Sequence, residues 1–235
     1  VTTTTAKGRS MGEVPTTVAR AVPLVDEIAA VIRERIYSHH YPTGAWLRQE
    51  HLAAELNVSR TPLREALRRL EQEGLVTHES GRGMRIVSGD AATLIDAYEL
   101  RGAVDALAAR LTATEATASD VRSLRRLIEA QRATVTPWDA RAYTKLNVDF
   151  HEMIMVMTGN QFVIAQSPIL RMTGQVFAPI AHTGPRNAVQ AIQEHVEIVD
   201  AIEAGDAERA EQMARTHIDR TITELRAEAD RRTTD

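Results

Sequence analysis

The sequence predicts a mostly α protein, with an N-terminal winged helix–turn–helix followed by an all-α bundle of six helices. Three observations carry this. Residues 57–70 (Asn57-Val58-Ser59-Arg60-Thr61-Pro62-Leu63-Arg64-Glu65-Ala66-Leu67-Arg68-Arg69-Leu70) read as a tight turn and then a two-faced helix. Two short strand-like runs, 75–79 and 84–87, flank the Gly-rich connection Ser80-Gly81-Arg82-Gly83. Beyond Gly89-Asp90 no strand pattern remains, only helical periodicity interrupted by caps, Gly and Pro.

In chain order, Leu24, Ile28, Val31, Ile32 and Ile36 give a first helical stripe, which Pro42-Thr43-Gly44 breaks. Gln49 to Leu56 forms a short helix with Leu52, Ala53 and Leu56 apolar, and Asn57 suits the turn that ends it. The next helix buries Leu63, Ala66, Leu67 and Leu70 at i, i+3, i+4 and i+7. Ser59 is its expected N-cap, and Pro62 is tolerated because the first turn has no N–H partners to lose. Arg60, Thr61, Arg64 and Arg68 lie off the stripe and crowd the N-terminal half. A helix presented this way suits a DNA major groove, where Arg meets guanine O6 and N7 in a bidentate contact. Arg82 at the hairpin tip, with Arg85 nearby, is placed to meet phosphates or a minor groove. The head is expected over 22–88, after a flexible Thr-rich tail over 1–21 whose Lys7, Arg9 and Arg20 can touch phosphates.

The helical domain is expected over 90–231. Its first helix runs from about Ala91 to Leu111, and the second follows a Thr117/Asp120 capping box. The third follows Thr136, with Pro137 in the first helical position. The fourth covers about Gln161 to Ile180 and is kinked or restarted at Pro168. The fifth spans about Ala188 to Glu203. Gly205 stops it, and Asp206 caps a sixth that extends to about Arg231.

Composition adds bounds. The chain has 235 residues and no cysteine, which excludes disulfides, thiolate zinc sites and a cysteine nucleophile and fits a reducing cytoplasm. No apolar run is long enough to span a bilayer, and the start lacks a signal peptide's apolar segment. Net charge is −4, so any affinity for DNA must come from locally gathered arginines and should fall steeply with salt.

Three histidines in the second half point to chemistry. His151 follows Asn147 by four residues, so both project from one face of the third helix. His195 lies in the fifth helix and His217 in the sixth. Inward-facing ligands from different helices are how bundles build metal sites, and imidazole suits zinc, nickel, copper or iron. The plainer alternative is a set of hydrogen-bonded core histidines.

Leu47 to Leu75, above all Val58-Ser59-Arg60-Thr61-Pro62-Leu63-Arg64-Glu65-Ala66-Leu67, resembles the DNA-binding domain of GntR-family bacterial transcription regulators, and Gly81-Arg82-Gly83 fits the same wing tip. Arg101 with Asp105, Asn147-Val148-Asp149-Phe150-His151, Gly159-Asn160, Glu194-His195 and Met213-Ala214-Arg215-Thr216-His217 resemble the FCD effector domain of the FadR subfamily. The six helices look most like the VanR-type branch. The resemblance implies that Asn147, His151, His195 and His217 hold a divalent ion, with zinc the default and nickel or manganese open. Asn147 stands where aspartate is common, and an amide brings no negative charge. The resemblance also implies that Arg101 points into the effector cavity, where its fork can clamp a small carboxylate. Arg171 and Arg186 are further candidates, with interhelical or surface ion pairs the simpler expectation. His182 has no matching role and is expected exposed, and Met153, Met155 and Met157 are expected to fill gaps in the core.

The function this implies is a ligand-responsive regulator, a repressor, acting as a cytoplasmic homodimer on an inverted-repeat DNA operator. Ser59, Arg60, Thr61, Arg64, Gly81, Arg82 and Gly83 are its expected DNA-contacting residues. The helix that carries Arg101 and leads back to Asp90 is the expected transmitter. Two alternatives stand beside it. One is a metal-independent FadR-like regulator that senses acyl-CoA or another organic ligand. The other is a metal-dependent hydrolase, although His151-Glu152-Met153-Ile154-Met155 lacks the second histidine of the zinc-protease helix.

Overall fold

In the computed structural model, backbone is described for residues 16–177 and 184–234, and side chains for residues 24–177 and 184–231. Helix α1 (Thr16–Tyr37) begins six positions before the expected head boundary. Its buried stripe is Val25, Ile28, Ala29, Ile32 and Ile36. Leu24 and Val31, expected on that stripe, are 39% and 43% exposed. Val25 and Ala29 complete the i, i+3, i+4 face, and this rotates the other two outward. Lys7 and Arg9 of the tail lie outside the described residues, as does His182.

Helix α2 (Gln49–Glu55) and helix α3 (Arg60–Gln72) enclose a turn at Asn57, whose φ of 51° suits an Asn. Leu63, Ala66, Leu67 and Leu70 are all buried against α1 and the sheet. Ser59 takes the N-cap backbone conformation, but its side chain makes no capping hydrogen bond, contrary to expectation. Two strands form the anticipated hairpin, β2 (Val76–Glu79) and β3 (Gly83–Ile86). A two-residue strand, β1 (Trp46–Leu47), was not anticipated and pairs antiparallel with the far edge of β3, giving the order β1-β3-β2. Gly81 and Gly83 bracket the wing tip with φ of 77° and 103°, a region that a Cβ disfavours.

The second domain starts at helix α4 (Ala91–Glu115), which Asp90 caps through the Thr93 amide at 2.8 Å. Helix α5 (Ala118–Ala133) opens on the expected Thr117/Asp120 capping box. Helix α6 (Ala140–Met157) starts later than expected, because Asp139 rather than Thr136 supplies the cap and residues 134–139 close as a turn. Pro137 is therefore outside the helix. The fourth expected segment is interrupted: α7 (Gln161–Ile164), then α8 (Ser167–Arg171) restarted by Pro168, then a π-helical turn at Met172–Phe177. Ile180 lies outside the described residues. Helix α9 (Pro185–Glu203) takes Pro185 in its first turn, and Gly205 (φ 69°) separates it from α10 (Ala207–Thr234). The Asp206 carboxylate accepts from the Arg209 amide, as expected of an N-cap.

Two main cores result. One joins α1, α2, α3 and the sheet, and the other joins α4, α5, α6, α9 and α10. Helix α10 packs along α4, and α5 packs on α6 and α9. A smaller cluster of Leu94, Tyr98, Ile218, Ile222 and Leu225 closes the α4–α10 seam beside the candidate site. Among the described residues no helix is long and apolar enough to cross a membrane.

Candidate functional site

The bundle brings three histidines from three helices to one point. His151 of α6, His195 of α9 and His217 of α10 each offer a ligand atom, and these atoms lie within 4.8 Å of one another. Their ring centroids form a near-equilateral triangle with sides of 5.2, 5.2 and 4.8 Å. All three are buried, and His195 is wholly so.

Each ring has an acceptor beside Nδ1. His195 Nδ1 lies 2.9 Å from the Gln131 side-chain oxygen, and His217 Nδ1 lies 2.6 Å from Glu194 Oε2. His151 Nδ1 is 3.5 Å from Asp105 Oδ2, a contact rather than a hydrogen bond. With the proton on Nδ1 in each case, Nε2 keeps its lone pair. Burial, together with Arg101 and the neighbouring rings, pushes His151 well below the usual histidine range. Burial together with His217, Arg220 and Arg101 does the same to His195. Both rings are therefore neutral at neutral pH, the form that ligates metal.

Partnerless buried atoms gather at this point. Among the described residues, those without a hydrogen-bond partner are His151 Nε2, His195 Nε2, Arg101 Nε and Asp105 Oδ1. Buried polar groups are normally satisfied, so four such atoms gathered at one point mark it as a candidate ligand site.

Above the triad lies a cavity of about 100 Å³, lined in part by Tyr98, Arg101, Tyr143, Asn147, Arg220 and Thr221. Asn147 therefore borders the same space as His151 and His217. Arg101 is 2% exposed. It donates to Asp105 at 2.8 Å and to the Thr173 hydroxyl at 3.3 Å, with its guanidinium 5.0 Å from the Tyr98 ring centroid. On the other side Arg220 reaches Glu194 at 2.6 and 3.0 Å and Glu224 at 2.6 Å. Burial alone would raise the Glu194 carboxyl, but the His217 and Arg220 hydrogen bonds overcome it and hold it at about 2. The remaining candidates fall elsewhere. Arg171 is clamped by Glu152 at 2.5 and 2.7 Å, Arg186 is exposed, and Met155 is core.

Sequence reasoning missed Gln131, Arg220 and Thr173, and named Glu194 only as part of the FCD resemblance, without a role. Gln131 was readable: the α5 stripe Val121, Leu124 and Ile128 continues at i+3 to a polar residue, and that residue is wholly buried. Thr173 gave no signal, because its position depends on the π-helical turn.

A second surface sits at the other end of the chain. Ser59, Arg60, Thr61 and Arg64 are all exposed along the N-terminal half of α3, and Gly81 and Arg82 are exposed at the wing tip, with Gly83 half-buried. Arg60 rests on Glu50 at 2.8 Å, with both side chains largely exposed. Arg85 differs from expectation. It is tied to the Gly44 carbonyl at 2.8 Å and lies against Trp46, so it braces the wing instead of extending from it.

With both surfaces in view, the family comparisons are decisive. The FCD domain matches residues 96–220, and the DNA-binding domain of bacterial regulatory proteins of the gntR family matches residues 24–86. The chain belongs to the FCD-domain regulators of the GntR family. Its families and relatives are transcriptional regulators and not enzymes, which removes the hydrolase alternative. The Nta operon transcriptional regulator of Aminobacter aminovorans is 36% identical over 124 residues, covering 53% of this chain and 59% of that protein. The HTH-type transcriptional repressor NanR of Cronobacter sakazakii is 26% identical, covering 91% and 88% respectively. Among solved structures, McbR/YncC of E. coli superposes with a TM-score of 0.75 over 88% of this chain and 98% of its own, at 19% identity. At that identity the likeness concerns the fold alone.

Proposed function

We propose that this GntR/FCD regulator is a metal-dependent sensor of a small organic acid, and that it represses transcription as a homodimer on an inverted-repeat operator in the cytoplasm. The observation that carries the reading is the buried histidine triangle with unpaired Nε2 atoms beneath Arg101. His151, His195 and His217 would hold a divalent ion, zinc first and nickel or manganese as alternatives, with the Asn147 side-chain oxygen completing the set. When bound, the ion supplies positive charge and open positions for an anionic ligand.

The chain's own residues do the rest. Gln131 and Glu194 fix two imidazoles in the Nδ1–H tautomer, and Arg101 offers its fork to a carboxylate. The charges around the cavity nearly cancel before metal binds, since Arg101 and Arg220 face Asp105, Glu194 and Glu224. An anion is therefore favoured only once the ion is present. A cavity of about 100 Å³ suits an acid of a few carbons and argues against the acyl-CoA alternative.

At the head, Arg60 and Arg64 are the proposed base readers. Ser59 and Thr61 would fix α3 on the duplex, and Gly81, Arg82 and Gly83 would set the wing. One such helix reads few base pairs, which is why two copies are required. We place the chain in the VanR-like branch of the FadR subfamily, counting α7, α8 and the π turn as one interrupted fourth helix.

Metal content after dialysis against zinc tests the centre. We expect one ion per protomer in the unaltered chain and none in His151→Ala/His195→Ala. Asn147→Asp should bind zinc more tightly, because it adds a negative charge next to the ion. Equal metal content in the unaltered and double-variant proteins would refute the site.

A further inference from the structure

We propose that the π-helical turn Met172–Phe177 is a mechanical relay between the effector cavity and the DNA-binding head, with Thr173 as its input and Val176 as its output. This deepens the sensor reading above by naming how the cavity is coupled to the head, and it adds a second route to the expected one through α4.

The input is the Arg101–Thr173 hydrogen bond. Thr173 is fully buried and accepts from the Arg101 guanidinium at 3.3 Å. Its own hydroxyl hydrogen is shared between the carbonyls of Ile169 and Leu170, at 2.9 and 3.0 Å. The guanidinium that is proposed to receive a carboxylate therefore already leans on this turn, through a long bond to an uncharged acceptor. A charged acceptor in the cavity makes a stronger bond and would draw Arg101 away from Thr173.

The output lies three residues on. Val176 is 2% exposed and sits in the core of the head, packed with the buried residues of α1 and α3. Met172 and Phe177 pack against the same core. Phe177 also joins the α4–α10 cluster that includes Leu94, Tyr98 and Leu225, all of which line the cavity. One short turn thus has side chains in both domains and a hydrogen bond into the site.

The turn is held against α6 rather than free. Arg171, just before it, is clamped by Glu152 of α6, and a Cβ built on Gly174 would lie 2.5 Å from Val148 of α6. A π turn carries one residue more per turn than an α-helix and is less stable. Its return to α geometry would change the rotation of each residue within the turn and swing Val176 out of the head core. Two discrete arrangements of one packed element are what a coupling device needs.

The test is hydrogen–deuterium exchange on the full chain without ligand. Thr173→Val keeps the side-chain shape and removes the hydroxyl, which is both the acceptor for Arg101 and the donor to the Ile169 and Leu170 carbonyls. It should speed exchange roughly 5-fold or more, the lower bound of usual couplings, at Met172–Phe177 and also in the α1 and α3 peptides of the head. Thr173→Ser, which keeps the acceptor, should match the unaltered chain. In a Val176→Ala background, Thr173→Val should add nothing further in the head. If Thr173→Val folds poorly, Arg101→Met removes the donor from the other side of the bond. A change confined to Met172–Phe177, or effects of Thr173→Val and Val176→Ala that simply add in the head, would overturn the relay. Calorimetric zinc binding on the same samples scores the metal centre separately. A head that responds to Thr173→Val supports the relay whether or not zinc binds, and an unresponsive head refutes it even where zinc binds.

Discussion

For single side chains, the decisive matter is where each imidazole's Nδ1 proton goes. Gln131 accepts a hydrogen bond from His195 Nδ1 and Glu194 accepts one from His217 Nδ1, so both rings present Nε2 to the centre of the triangle. Removing such a supporting acceptor commonly weakens metal affinity 10–100-fold. Gln131→Ala should therefore lower zinc affinity by about that factor in calorimetry while leaving the fold intact; an unchanged affinity would show that the ring needs no support. A second consequence concerns pH. His151 and His195 are depressed in the folded state by burial and by the cations around them, whereas in the unfolded chain they sit near 6.5. Their contribution to stability is present above about 6.5 and is lost as pH falls below it, because the unfolded chain takes up protons that the folded one refuses. Metal-free protein should lose thermal stability as pH falls from about 7 to 5, and the double alanine variant should show a flatter profile. The meeting of the three histidines was legible because they stand on separate helices, and the place of Asn147 beside the same cavity because it lies one turn before His151. The roles of Glu194 and Arg220 were not, since an exposed ion pair and a ligand-orienting one look alike until the helices are docked.

Elements divide by how local their causes are. Helix α3 was readable apart from its Ser59 cap, because its apolar spacing and its crowd of arginines are properties of one helix. The α5 capping box and the Gly205/Asp206 break were readable for the same reason. Three features depended on tertiary contact instead: the register of α1, the two-residue β1, and the split of the fourth segment into α7, α8 and a π turn. A strand of two residues has no periodicity to detect. Arg85 was misread because its anchor, the Gly44 carbonyl, lies 41 positions away in sequence. On α3, Arg60 is held in the free protein by Glu50 and must leave it to reach a base edge. Arg60→Ala should flatten sequence preference, with a loss of about 1–3 kcal/mol at one base pair and little change in non-specific binding. Loss spread evenly over all sequences, as measured by competition against mutated operators, would instead make Arg60 a phosphate contact.

The whole molecule combines a net charge of −4 with a basic reading edge, so its DNA affinity is a local property set against a repulsive background. Operator binding should accordingly fall steeply between 50 and 200 mM salt, by about 10³-fold or more if six phosphates are contacted per dimer. Domain order was legible from the chain alone, because the strand-like runs stop at Gly89-Asp90 and helical periodicity takes over. The packing between the domains was not. It rests on Val176 inserting into the core of the head, with Met172 and Phe177 packed against that core, which no local pattern announces. The central claim, that a histidine-bound ion governs how this chain grips DNA, is tested most directly by fluorescence anisotropy on the duplex upstream of its own coding region. The zinc-loaded chain should prefer that duplex over a random one by about 10³-fold or more. Chelation should change the specific affinity by roughly 5-fold or more, and His151→Ala/His195→Ala should abolish that response. Equal affinity for the two duplexes, or a chelator response that survives loss of both imidazoles, would contradict it.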